Sequence, residues 1–89
     1  MLSSFLEQKL FDEEKPVTVG YLRSLLHLTQ KQLADLAQID VRTIKRAESA
    51  SHSLQSSTAE RLVAALNREL HKQGYLRQEK TLQLRHVNF

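Results

Sequence analysis

With 89 residues, the chain is long enough for one small domain, and its 40% hydrophobic and 26% charged residues argue against intrinsic disorder. It contains no cysteine, so no disulfide supports the core, which suits a reducing cytosol. No apolar run approaches the roughly 20 residues that cross a bilayer, and the acidic N-terminal segment lacks the basic start of a secretory signal. We therefore expect a cytoplasmic protein with no membrane contact.

Charge is distributed unevenly along the chain. Residues 1–20 contain two basic and four acidic residues, whereas residues 21–89 contain eleven basic and six acidic residues. The net charge of +3 is therefore the sum of −2 in the acidic leader and +5 in the basic body of the chain. A basic body favours an anionic partner such as nucleic acid or anionic lipid, but it also serves as a solubilising surface. Charge alone leaves both interpretations open.

Two short helices are predicted in the first third of the chain. Apolar residues share one face over about residues 3–11, which predicts a helix in the leader. The charged stretch 12–16 ends in proline and interrupts it. Thr18 then fits the N-cap of a second helix over about residues 18–27, where leucine and valine recur at helical spacing.

The following segment predicts two helices around a tight bend. Thr29 and Gln32 form the capping-box pair that begins the first of them. Residues 38–40 form the bend, and the Asp40 carboxylate caps the next helix, residues 41–49. Such a pair, in which an apolar helix braces a short basic one, has the shape that enters a DNA major groove.

A long helix and a different kind of tail are predicted to follow. Ser57 with Glu60 fits another capping box, and the helix runs to about Gln73, where Gly74 ends it. The tail alternates from Leu82 to Arg85 and is rich in strand-forming residues, which favours a short β-strand. A single strand is not stable alone, so its partner lies either within the chain or on a second copy.

The motifs, taken together, resemble those of the Cro/phage-repressor, or Xre-like, helix-turn-helix family. The resemblance covers about residues 19–66 and rests on the joint spacing of its motifs rather than on any one of them. The matching residues are LR at 22–23, LTQ at 28–30, LA at 33–34, TI at 43–44, Glu48, and RLVAAL at 61–66. The resemblance implies an all-α fold, a compact bundle of four to five helices, to which the tail adds the short strand.

The resemblance also implies a division of the chain and a DNA-binding site. The expected division is an acidic leader at 1–16, a helix-turn-helix DNA-binding domain at 17–73, and a C-terminal extension at 74–89. The site residues expected from the family positions and from the loop that follows are Arg23, Gln30, Val41, Arg42, Thr43, Lys45, Arg46, Ser49, Ser51, His52 and Ser53.

Each group of site residues has an expected role. Arg42 and Val41 face bases, where an arginine fork fits guanine and an apolar side chain fits the thymine methyl group. Lys45 and Arg46 lie nearer the phosphates, and Gln30 touches a phosphate while bracing the recognition helix. Thr43 and the serine-rich loop with His52 are expected to donate hydrogen bonds to phosphate. The alternative for Thr43 is a packing role, and the alternative for the loop is that it is simply flexible.

Arg23 and Glu48 match a pair that often forms a salt bridge in this family, which places the arginine near the DNA backbone. The alternative is an ordinary surface pair worth under about 1 kcal/mol. Several positions depart from the family pattern. Gln38 stands where glycine is usual, and Ala47, Ala50 and Leu54 replace a bulkier residue, a glycine and a proline, respectively.

The sequence contains no signal for catalysis. The four histidines, at 27, 52, 71 and 86, lack metal-ligand spacing, and no nucleophile stands beside a base in a recognisable order. With two glycines in total, the chain has no glycine-rich phosphate loop. We expect no enzyme, no metal and no cofactor.

Three functions fit these observations. The first is a transcriptional regulator, specifically a repressor, that binds a palindromic operator in double-stranded DNA as a homodimer. The second is the antitoxin of a toxin–antitoxin pair, which regulates its own operon and binds a basic toxin through the leader or the tail. The third is a protein-interaction module that has kept the fold and lost DNA binding. Segments 75–89, through antiparallel strands, and 1–15 are the candidate dimer elements.

Overall fold

A computed structural model describes residues 4–49 and 54–89, and of Ser4 only the backbone. Over these residues the chain forms five α-helices, two very short strands and one 3₁₀ turn. In chain order they are α1 Ser4–Leu10, β1 Val17–Thr18, α2 Val19–Leu25, α3 Gln30–Ala37, α4 Val41–Ser49, α5 Ser56–Lys72, the 3₁₀ turn Leu84–His86, and β2 Val87–Asn88. The predicted all-α bundle with a short C-terminal strand is confirmed.

One apolar core joins these elements. The largest fully buried side chains come from the five helices, the residue that follows α2, and the tail; they are Leu10, Val19, Leu22, Leu26, Leu33, Ile44, Leu62, Leu66, Leu70 and Leu82. The long helix α5 contributes three of them at a spacing of four residues, which places a continuous apolar stripe against its neighbours. No helix within the described residues has the length and apolar character needed to cross a membrane.

Side-chain caps define where α2 and α3 begin. The Thr18 hydroxyl accepts a hydrogen bond from the Tyr21 amide at 3.0 Å. At α3, the Thr29 hydroxyl accepts from the Gln32 amide at 3.0 Å, and the Thr29 amide donates to Gln32 Oε1 at 2.8 Å. Both bonds of the predicted capping box are therefore present, and they satisfy amides that a helix leaves unpaired at its first turn.

The long helix begins differently from the sequence prediction. Helix α5 starts at Ser56 with Gln55 as its N-cap, which makes no side-chain capping bond, so the predicted Ser57–Glu60 capping box is wrong. Burial of the α5 stripe, rather than a capping side chain, accounts for this helix. At the other end, Gly74 adopts a positive φ of 83°, as expected of a glycine that terminates a helix.

The bend between α3 and α4 keeps a left-handed residue although no glycine is present. Gln38 has φ 58° and ψ 46°, and its amide donates to the carbonyls of Ala34 and Asp35. The next amide, of Ile39, also returns to Ala34 O at 3.0 Å. These bonds cap the carbonyls at the end of α3, and Ile39 packs against the core. They offset the unfavourable backbone conformation of a residue with a Cβ atom.

Replacing Gln38 by glycine is therefore expected to stabilise the protein. The left-handed conformation costs a residue with a Cβ about 1–2 kcal/mol. Glycine avoids this cost, but part of the stabilisation is lost because glycine has greater conformational freedom in the unfolded chain. We expect Gln38→Gly to raise the free energy of unfolding by about 0.5–1 kcal/mol, measured by urea denaturation. Gln38→Ala is the control, because alanine keeps the Cβ penalty; equal stabilities for the two variants would contradict the prediction.

The tail differs in position from the predicted strand. Residues 84–86 form the 3₁₀ turn, and the strand is β2, which pairs in parallel with β1 so that Val17 lies beside Val87. The alternation at 82–85 thus arises from one buried leucine and exposed neighbours, not from a strand. The sequence left open whether this strand pairs within the chain or with a second copy, and the structure shows pairing within the chain.

The leader and the tail pack against each other beyond this pair of strands. The rings of Phe11 and His86 meet edge to face, with 5.1 Å between their centroids. Glu13 forms an ion pair with Arg85, and the Lys80 ammonium lies 5.6 Å from the centre of the Phe11 ring. The two ends of the chain therefore form one layer on the helical bundle.

His86 makes the stability of this layer depend on pH. Its ring is buried, and Nδ1 accepts a hydrogen bond from the Gln83 amide at 2.9 Å, which requires an unprotonated nitrogen. Burial lowers the pKa of His86 below 6.5, and the charge of Arg85 lowers it further against an opposing effect of Glu13. The unfolded chain then binds the proton more readily than the folded chain does.

The stabilisation from neutral His86 is accordingly complete above roughly pH 7.5 and is lost as the pH falls through 6.5 towards the lower pKa of the folded state. We expect the urea midpoint to fall between pH 7.5 and pH 5.5. The fall should be smaller in His86→Asn, whose Oδ1 keeps an acceptor for the Gln83 amide without titrating. Equal falls in the two proteins would contradict this role for His86.

Candidate nucleic-acid interface

Helix α4 has one buried side and one basic exposed side. Ile44 and Ala47 are buried, at 0% and 1% exposure, and they hold the helix on the core. The exposed residues are Arg42, Lys45, Arg46 and Ser49. Their spacing of three, four and seven residues places them on one stripe of a helix with 3.6 residues per turn. We call these four residues the exposed stripe of α4.

The two other predicted contact residues of α4 lie at its flanks. Val41 is half-buried and packs against the core, so it faces outward less than the sequence analysis expected. Thr43, on the opposite flank, is also half-buried. Both border the exposed stripe, and each combines a packing role with a partly accessible surface.

Glu48 joins α4 to both preceding helices. Its carboxylate accepts hydrogen bonds from Arg23 Nε at 2.5 Å and from Arg23 Nη2 at 3.1 Å, which together form a bidentate pair between α2 and α4. The same carboxylate accepts Gln30 Nε2 from the first turn of α3 at 3.2 Å. The predicted Arg23–Glu48 salt bridge is confirmed. The Glu48 side chain is 15% exposed, so the pair is largely withdrawn from solvent, unlike an ordinary surface pair.

Arg23 is oriented by three of its five N–H groups. Besides Glu48, it donates from Nη1 to the Leu28 carbonyl at 2.9 Å. Hydrogen bonding to Glu48 raises the pKa of Arg23, partly opposed by burial. The guanidinium is therefore a fixed positive charge with two N–H groups left for another acceptor.

Asp40 organises the start of α4. Its Oδ1 accepts the Arg42 amide at 2.7 Å, which is the expected capping contact. The same carboxylate also pairs with the Arg42 side chain, through Nε to Oδ1 at 3.2 Å and Nη2 to Oδ2 at 3.2 Å. Hydrogen bonds from the Arg42 side chain and amide lower the pKa of Asp40, so the carboxylate is ionised at neutral pH.

The remaining basic residues of the exposed stripe are open to solvent. Within residues 4–49 and 54–89, the side chains of Lys45 and Arg46 form no ion pair. Ser49 Oγ donates to the Arg46 carbonyl at 2.8 Å and closes the last turn of α4. The predicted contacts Ser51, His52 and Ser53 lie outside the described residues.

A basic helix that is braced by a preceding helix across a capped bend is the geometry of a helix-turn-helix. In agreement, the family model described as helix-turn-helix matches residues 20–73, more than half of the chain. The chain belongs to the Xre/Cro-like helix-turn-helix family. No curated protein and no solved structure matches it.

Membership establishes the general function of this helix-turn-helix protein. The family consists of DNA-binding regulators that are not normally enzymes, so the chain is a DNA-binding helix-turn-helix regulator. The match spans α2, α3, α4 and α5, whereas α1 and the tail lie mostly outside it. The layer formed by the two chain ends therefore lies outside the matched residues.

Two contacts of the helix-turn-helix escaped the sequence analysis. The Asp40–Arg42 ion pair was missed because Asp40 was assigned only a capping role, although the spacing of two residues allows both. The Gln30–Glu48 bond was missed because the two residues are 18 apart in sequence. The only sign of this bond in the sequence is the bracing role expected of Gln30, and that expectation comes from the family resemblance rather than from the chemistry of glutamine.

Proposed function

We propose that this protein is a transcriptional repressor that binds a palindromic operator as a homodimer and inserts α4 into the major groove of each half-site. The observation that carries the proposal is the exposed stripe of α4. Three basic side chains project from one face of a helix whose opposite face is fixed by Ile44, Ala47 and Glu48. A rigid element with a basic outer face is what groove recognition requires.

Within this proposal the residues divide between base and phosphate contacts. Arg42, at the front of α4, forms paired bonds to guanine O6 and N7, and the accessible part of Val41 meets a thymine methyl group. Lys45 and Arg46 lie one turn later and bind phosphates along the groove walls. The other proposed phosphate contacts are Arg23, Gln30, Thr43, Ser49, Ser51, His52 and Ser53.

Repression is favoured because occupancy of the groove is sufficient for it. A protein bound at an operator excludes other proteins from the same groove, whereas activation requires a further contact with the transcription machinery. The structure of the bend also supports DNA binding over a protein-interaction module. The departures from the family pattern at Gln38 and in the loop after α4 are what favour a module that has lost DNA binding, and of these Gln38 keeps the left-handed conformation.

The proposed dimer uses the layer formed by the chain ends. The sequence offered the leader and the tail as separate candidates, but β1 pairs with β2 and Glu13 pairs with Arg85. A dimer built on either segment therefore involves the other as well. The two recognition helices must then lie about 34 Å apart, one turn of the DNA helix.

Selection of bound sites from random duplex DNA, followed by the mass of the complex, tests this proposal. We expect an inverted repeat with half-site centres about 10–10.5 base pairs apart, and a mass of two chains per duplex. Enrichment of a single half-site with one chain bound would contradict the dimer. The absence of any enriched sequence would contradict sequence-specific regulation altogether.

A further inference from the structure

The Asp40 carboxylate holds the Arg42 side chain along one particular edge. Asp40 Oδ1 is itself fixed by the Arg42 amide at 2.7 Å, and the carboxylate then receives Nε and Nη2, each at 3.2 Å. A carboxylate held by the backbone of its own helix thus holds a guanidinium through two further bonds. The Arg42 side chain is therefore held in place, although 81% of it is accessible to solvent.

The edge that Asp40 occupies leaves the complementary edge accessible. A guanidinium has five N–H groups in a planar fork. Asp40 uses the side of the fork formed by Nε and Nη2. The end of the fork, formed by Nη1 and the second N–H of Nη2, points away from this carboxylate. That end carries two parallel N–H groups, which is the pattern that guanine O6 and N7 accept.

We propose that Asp40 is a specificity-determining positioning residue, which presents the end of the Arg42 fork to guanine and disfavours binding to other sequences. This inference rests on the proposed function, because it assumes that α4 enters the major groove. Asp40 touches no base in this arrangement and acts through Arg42. Arg42, which contacts the base, and Asp40, which orients Arg42, lie two positions apart at the N-terminal end of α4.

Two physical effects contribute to the selectivity. An arginine already held by Asp40 loses less side-chain freedom when it binds guanine, so the paired contact is strengthened. The Asp40 carboxylate is also a negative charge beside the polyanionic DNA backbone, which weakens binding that depends on phosphates alone. The first effect raises affinity for the correct base, and the second lowers affinity for all sequences, so that binding depends more on the Arg42 contact.

The variant Asp40→Asn separates these effects from helix capping. Asparagine is as good an N-cap as aspartate and keeps an oxygen for the Arg42 amide, but it lacks the charge and the second acceptor that hold the guanidinium. Thermal unfolding of the variant checks that α4 is intact. The base pair read by Arg42 is first located as the operator position at which Arg42→Ala loses discrimination.

The measurement is the dissociation constant for the duplex altered at that one base pair, divided by the dissociation constant for the selected duplex. We expect Asp40→Asn to lower this ratio roughly 3- to 10-fold and to strengthen binding to unrelated DNA. At operator positions where Arg42→Ala keeps its discrimination, Asp40→Asn should leave the ratio unchanged, since Asp40 acts through Arg42.

An unchanged or increased ratio in Asp40→Asn would overturn the inference, because Asp40 would then only cap the helix or hold Arg42 away from the base. A ratio that falls equally at operator positions not read by Arg42 would also overturn it. Wild-type protein that distinguishes no sequences would overturn the proposed function together with this inference. Wild-type discrimination that survives in Asp40→Asn overturns the role of Asp40 alone.

Discussion

Simultaneous replacement of Arg42, Lys45 and Arg46 by alanine is expected to lower the affinity for operator DNA roughly 10²- to 10⁴-fold at about 0.1 M salt. The Arg42 contact with a base contributes about 1–3 kcal/mol of discrimination. Each phosphate contact contributes close to one unit of slope in a plot of log affinity against log salt. The triple variant should therefore have a slope that is smaller by about two, measured by fluorescence anisotropy from 50 to 200 mM salt.

A second triple variant controls for net charge. Arg61, Arg68 and Lys72 are exposed basic residues of α5, outside α3, α4 and the layer formed by the chain ends, so their replacement by alanine removes the same three charges. We expect only a small, salt-screened loss of affinity from this control. Equal losses in the two triple variants would show that general charge, rather than the exposed stripe of α4, determines DNA binding.

Substitution of Asn67 by leucine is expected to destabilise the fold by about 2–5 kcal/mol. Asn67 is 8% exposed and lies on α5, where its side-chain amide pairs with the tail. Its Nδ2 donates to Leu82 O at 2.8 Å, and its Oδ1 accepts the Leu82 amide at 2.7 Å. Leucine fills the space but leaves a buried amide and a buried carbonyl without partners, each at a cost of about 1–3 kcal/mol.

The expected result is a fall in the melting temperature of about 8–40 °C, with faster hydrogen exchange at the Leu82 amide. Gln73→Leu is the matched control, because Gln73, the residue that follows α5, also donates to a backbone carbonyl, that of Leu26 at 3.1 Å, but is exposed. Water can replace that bond, so a loss under about 1 kcal/mol is expected. If the two variants are equally stable, Asn67 does not anchor the tail.

The sequence predicts the helices of this protein well because their signals are local. Thr18, Thr29 and Asp40 lie directly before the helices that they cap, and the periodic leucines of α5 lie within one element. The exposed stripe of α4 follows from the same periodicity. The failed capping box at Ser57 shows the limit of such signals, since buried apolar contacts can fix a helix start without one.

The tail could not be predicted in the same way because its structure depends on distant residues. Val87 pairs with Val17, which is 70 positions away, and Leu82 is held by Asn67 across 15 positions. Neither partner is marked by a local pattern. A buried asparagine on an apolar helix face was the one available signal, since such a residue requires hydrogen-bond partners.

The site was predictable in its composition but not in its connections. The exposed basic residues of α4 and the Arg23–Glu48 pair follow from spacing and from the family resemblance. The connections that fix them, from Gln30 to Glu48 and from Asp40 to the Arg42 side chain, depend on rotamers that no sequence pattern specifies. Val41 shows the same limit, because its position on the helix did not reveal its packing against the core.

The central claim, that the exposed stripe of α4 enters the DNA major groove, is tested most directly by a nuclear magnetic resonance titration. Isotope-labelled protein is titrated with the duplex obtained by selection, and backbone amide shifts are followed residue by residue. We expect the largest shifts over residues 41–46 and at the first turn of α3. Shifts concentrated elsewhere, with α4 unchanged at saturating duplex, would contradict the claim.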